Sequence, residues 1–125
     1  MNITNNELKK MVDESGANEL IYRAYAFEND ENLSEIDYLI RETEWVLEDY
    51  TEDTGHCAYD EYMDAKYLLR KTKNGSCITY DIETFKPFYW CTEEAIRQAK
   101  ALVQEVKDTR KLLKALRRYK EKKGE

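Results

Sequence analysis

Apolar residues recur every three or four positions along most of this chain, the period of a helix buried on one side. From Ser34 onward, Ile36, Leu39, Ile40, Thr43, Val46, Leu47 and Tyr50 form one stripe. Ser34 suits the N-cap, and Glu35 and Asp37 put negative charge at the positive end of the helix dipole. A second stripe, Ile96, Ala99, Leu102, Val103, Val106, Leu113 and Leu116, predicts a long last helix opened by Thr92 and running to about Tyr119. At 1.5 Å per residue it would span ~40 Å, so its end is expected to project or to pair with a second copy.

Shorter patterns fill the rest. Thr4-Asn5-Asn6-Glu7 matches a capping box ahead of Leu8, Met11 and Val12, and Ser15-Gly16 supplies a stop. Asn18 to Glu28 reads as a helix with Ile21, Tyr22, Tyr25 and Ala26 on its apolar face, although its aromatic residues also suit a strand. Asn29 to Asn32 and Thr51 to Gly55 read as loops, and Ala58 to about Ala65 as a short helix.

Lys73-Asn74-Gly75-Ser76 carries the chemistry of a two-residue hairpin turn, because Asn-Gly accepts two positive φ angles. Pairing outward puts Lys71 opposite Ile78, Leu69 opposite Tyr80 and Tyr67 opposite Ile82 on one mostly apolar face, with Thr72, Cys77, Arg70, Thr79, Leu68 and Asp81 on the other, mostly polar one. Phe85 to Trp90 could add an edge strand. The expected fold is therefore α+β, mostly α: one domain over residues 1–125, with an acidic helical part (1–65), a hairpin or three-stranded sheet (66–91) and a basic-ended helix (92–121).

Charge changes this picture most. Residues 1–65 carry 18 acids and 4 bases, and residues 66–125 carry 8 acids and 16 bases. The whole chain is at −6. Such asymmetry speaks about partners rather than fold. The face of the 34–50 helix opposite its apolar stripe holds Asp37, Glu42, Glu44, Glu48 and Asp49, with only Arg41 to offset them on that helix. With Glu35, Glu52, Asp53 and Asp60, and with Tyr38, Tyr50, Tyr59 and Tyr62 as amphipathic contacts, these acids form a candidate docking surface for a basic protein. The basic tail, with Arg110, Lys114, Arg117, Arg118, Lys122 and Lys123, is the alternative surface, suited to nucleic-acid phosphates.

Catalytic and metal chemistry find little footing. Asp49-x-Thr51-x-Asp53, with Asp60 twelfth, resembles an EF-hand calcium loop, but Thr54 holds the sixth position where that family has glycine, and the twelfth residue is not Glu. His56, Cys57, Cys77 and Cys91 lack the close pairs usual at zinc sites. Cys91 precedes a helix, where a thiol can be activated, but has no evident base. A pocket lined by Tyr80, Phe88 and Trp90 would be the place for a small ligand. No glycine-rich phosphate loop occurs, and no catalytic residue, metal or cofactor is assigned.

Three cysteines without close pairing point to a reduced, cytoplasmic protein, and no apolar run reaches the ~18 residues of a membrane span. In charge alone the chain resembles the small acidic proteins by which phages and mobile elements block host defence nucleases. That resemblance implies a non-enzymatic inhibitor that occupies a basic nucleic-acid-binding surface. A nucleic-acid-associated regulator, a small-ligand module and association with a second copy stand as alternatives.

Overall fold

The computed structural model describes residues 3–26, 32–55, 57–73, 76–77 and 92–123. Among them run five helices: α1 (Asn6–Asp13), α2 (Asn18–Ala26), α3 (Glu35–Thr51), α4 (Cys57–Arg70) and α5 (Glu93–Lys122). Extended pairing is limited to β1 (Thr72–Lys73) and β2 (Ser76–Cys77), antiparallel, with Thr72 opposite Cys77 and Lys73 opposite Ser76.

The fold is therefore all-α, and the α+β expectation is overturned. The two-residue ladder keeps the expected register, but its N-terminal arm does not extend back to Tyr67. Tyr67, Leu68, Leu69 and Arg70 belong to α4, which ends where the Lys71 N–H reaches the Tyr67 and Leu68 carbonyls at 3.1 and 3.0 Å. The reason is packing: Ala65 and Leu68, one turn apart, are buried together with Ile96 and Ala99 of α5. A helical stripe with a partner overrides the strand preference of single residues. The proposed partners Ile78, Tyr80 and Ile82, the Asn74-Gly75 turn and the strand from Phe85 to Trp90 lie outside the described residues.

The chain forms two compact units, one of Met1–Asp49 with Glu105–Glu125 and one of Tyr50–Gln104. In the first unit the buried residues include Leu8 and Val12 of α1, Leu20 and Ala24 of α2, Ile36, Tyr38, Leu39 and Val46 of α3, and Val106, Leu112, Leu113 and Leu116 of α5. Two threonines share this core. The Thr43 and Thr109 hydroxyls donate to the carbonyls four residues back, Leu39 at 2.5 Å and Glu105 at 2.7 Å, which satisfies both groups without a partner helix. The second unit is smaller, with Ala65, Leu68, Ile96 and Ala99 at its centre and Leu69, Leu102 and Val103 packed on it. Tyr50 and Tyr62 meet there edge to face, ring centres 6.3 Å apart.

Two helix ends and one helix face differ from expectation. The cap of α1 is Asn5, not Thr4: its side chain accepts from the Glu7 and Leu8 N–H groups at 2.9 and 3.2 Å. The buried face of α2 is Leu20 and Ala24 with the preceding Ala17, while Tyr22 is 62% exposed. The end of α5 does not project. Its last turns are seated in the first unit, where the Asn5 amide donates to the Tyr119 hydroxyl at 2.9 Å.

Gly16, between α1 and α2, sits at φ +81°, and a Cβ there would lie 2.6 Å from the Asp108 carboxylate. Gly55 has a similar φ of +86° but open space around it. Gly16→Ala is expected to cost about 1–2 kcal/mol, clearly more than Gly55→Ala, in urea unfolding followed by circular dichroism. Equal costs would show that only the backbone angle matters at both.

Candidate functional site

The carboxylates of α3 reach their places by helical spacing, and three of the six are engaged from other helices. Asp37 accepts from the Lys120 ammonium at 2.6 Å, and Glu44 from the Arg117 guanidinium at 3.0 Å. Asp49 pairs with Arg23 of α2. Glu42 is buried and accepts from Arg41 at 3.1 Å. Glu7 of α1 lies 3.9 Å from Lys123. Counting only cations on the same helix suggested that the acidic face of α3 stays charged. Arg117 and Lys120 of the α5 tail and Arg23 of α2 offset it instead.

Glu35 has a different task. Its carboxylate accepts from the Thr4 N–H (3.0 Å), the Asn5 N–H (2.9 Å) and the Thr4 hydroxyl. It thus ties the chain ahead of α1 to the first turn of α3. Burial pushes its pKa up, but these hydrogen bonds outweigh that and hold it below the usual range. The Asp37 carboxyl is likewise held low, chiefly by the bond from Lys120. Across the same unit the Tyr25 hydroxyl donates to Asp13 at 2.9 Å, and burial together with that carboxylate pushes Tyr25 up to about 12.

Of the tyrosines assigned to the docking surface, Tyr38, Tyr50 and Tyr62 are buried and Tyr59 is half-buried. The acids that remain openly exposed are Glu48 in the first unit and Glu52, Asp53 and Asp60 in the second. The sequence reading missed three neighbours of the latter group: Glu61, Asp64 and Tyr67. Glu61, Asp64 and Tyr67 line an open groove of about 770 Å³ between α4 and α5, together with Gln98 and the buried or half-buried Ala65, Leu68, Ala95, Ala99 and Leu102. The missed signal was the helical period of residues 57–70, obscured once Tyr67 was assigned to a strand.

The basic tail separates into two sets. Arg117, Lys120 and Lys123 are committed to Glu44, Asp37 and Glu7. Arg110, Lys114, Arg118 and Lys122 are exposed.

The calcium-like spacing does not form a loop, because Asp49 and Thr51 are in α3 and Asp60 is in the first turn of α4. Among the described residues no group of three or more His, Cys, Asp or Glu could hold a metal ion, and no helix is long and apolar enough to cross a membrane. Cys57 is exposed. His56, Cys91 and the trio Tyr80, Phe88 and Trp90 lie outside the described residues.

No protein-family model, no curated protein and no solved structure matches this chain.

The Glu35 tie has a pH signature. A carboxyl held below its ordinary value contributes stability above that value and loses it as pH falls through the folded pKa. Glu35→Gln is expected to lower stability at pH 7 by about 1 kcal/mol, with the gap from the unaltered protein closing as pH falls below 4.5, the ordinary value. Urea midpoints from pH 7 to 3 measure it. A gap that stays constant would mean that the charge of Glu35 plays no part.

Proposed function

We propose that this chain is a non-enzymatic docking module that takes a basic partner protein on its second unit. What supports the reading is the groove between α4 and α5: an apolar floor bordered by Glu61 and Asp64 and flanked by the exposed Tyr67. Glu52, Asp53 and Asp60 add exposed negative charge to the same unit. An apolar cleft with an acidic border fits a segment that presents apolar side chains flanked by Lys or Arg. The cleft supplies burial and the border supplies steering and orientation.

This is a narrower surface than the full acidic half. Glu35, Asp37, Glu42, Glu44 and Asp49 serve the fold, as do the buried Tyr38, Tyr50 and Tyr62. The partner class that suits the remaining charge is a nucleic-acid-handling protein, whose basic surface is built for phosphates. Occupying that surface in the cytoplasm would inhibit it, in the manner of a phage or mobile-element anti-defence protein. The overall charge of −6 favours approach to such a surface over approach to nucleic acid itself.

The test has two stages. Nuclease-treated bacterial lysate is passed over the immobilised chain, over Glu61→Lys/Asp64→Lys, and over Ala95→Trp, which fills the cleft without altering charge. The retained protein is then purified and its nucleic-acid binding measured with and without the chain. The expected outcome is retention by the unaltered chain, at least tenfold loss with either variant, and competition with nucleic acid. Retention that ignores both variants, or a partner whose nucleic-acid binding is unaffected, would overturn the reading.

A further inference from the structure

The second half of α5 shows two sharply different faces. Val106, Thr109, Leu113 and Leu116 follow one another at helical spacing and are buried in the first unit. Opposite them, Lys107, Lys111, Lys114, Arg118 and Lys122 recur at spacings of four, three, four and four, and all five are exposed. Arg110 is exposed alongside. The stripe runs about 22 Å at 1.5 Å per residue. Glu121 is the one acid on this solvent face among the described residues.

Two ordinary causes account for only part of it. Cations in a last helical turn are favoured by the dipole, but that effect fades within a turn, and Lys107, Arg110 and Lys111 lie three or more turns from Lys122. Cations of a tail can also serve to neutralise a neighbouring acidic helix. Here Arg117, Lys120 and Lys123 already do so for Glu44, Asp37 and Glu7, and none of the six stripe cations is ion-paired to a described carboxylate. Fixing this helix by its buried face thus sets a preformed row of positive charge toward solvent.

We infer that this face of α5 binds the phosphate backbone of nucleic acid. A straight row of long, flexible cations at intervals of about 5–6 Å follows from the helix rise. It can contact successive phosphates without reading bases, so binding is general in sequence and driven by counterion release. A net-negative chain opposes this at long range, which makes the interaction one of short range and low salt. The inference uses a different unit and different residues from the groove and depends on no part of the docking reading.

Fluorescence anisotropy with a labelled 24-base-pair duplex DNA of arbitrary sequence, across a salt series, tests it. Four to five phosphate contacts give an expected log–log salt slope of about −4. Lys111→Gln/Lys114→Gln/Arg118→Gln is expected to weaken binding at least tenfold. Lys66→Gln/Arg70→Gln/Lys71→Gln, which removes the same charge from the second unit, is expected to change it less than twofold. Thermal melts of both variants, unchanged from the parent, confirm that charge and not folding is being measured. Equal loss in the two variants, or no binding at 50 mM salt, would overturn the inference. So would low-salt self-association that the first variant abolishes while DNA leaves it untouched, because the stripe would then belong to a second copy of the chain.

Discussion

The first unit depends on the last helix returning to the start of the chain. Leu112, Leu113 and Leu116 of α5 are buried in the same unit as Leu8, Val12, Leu20 and Leu39. Each such side chain contributes about 1.5–3 kcal/mol on burial. The ion pairs of α5 with α1 and α3 are partly exposed and belong to the class worth about 0.2–1 kcal/mol each. Apolar burial therefore holds the helix in place, and the ion pairs follow from that placement. They matter more for the charge they cancel than for the stability they add. The same burial decides which cations turn toward solvent.

Much of the helical architecture was legible in the period of apolar residues. The stripe from Ile36 to Tyr50 and the one from Ile96 to Leu116 marked α3 and α5, because only a helix places such a spacing on one side over several turns. The hairpin reading went too far for a local reason. Asn74-Gly75 is a strong turn signal, but a turn sets register and not strand length. Whether Tyr67 to Arg70 are extended depended on whether Leu68 had something to pack on, and Ile96 and Ala99 are some thirty residues away in sequence.

The surface was less legible than the fold. Charges can be counted along the chain, whereas their availability depends on contacts between helices far apart in it, such as Lys120 with Asp37. Tyr38, Tyr50 and Tyr62 looked like interface residues by type, yet they fill cores, since tyrosine buries as readily as it docks. Once these internal uses are subtracted, the charges left include an acidic border beside an apolar cleft on one unit and a basic row on the other. The acidic border and the basic row lie on separate units and can serve different partners.

The interleaving of the units has a consequence for how the chain is made. Residues 50–104 are continuous and leave the ribosome as a block, but the first unit needs residues 105–125 as well as 1–49. Until then the apolar faces of α1, α2 and α3 lack the helix that covers them. At about 5–20 residues per second the wait is several seconds. For that interval the acidic composition of residues 1–49 has a use unrelated to any partner: like charges keep nascent chains apart while their core is still open.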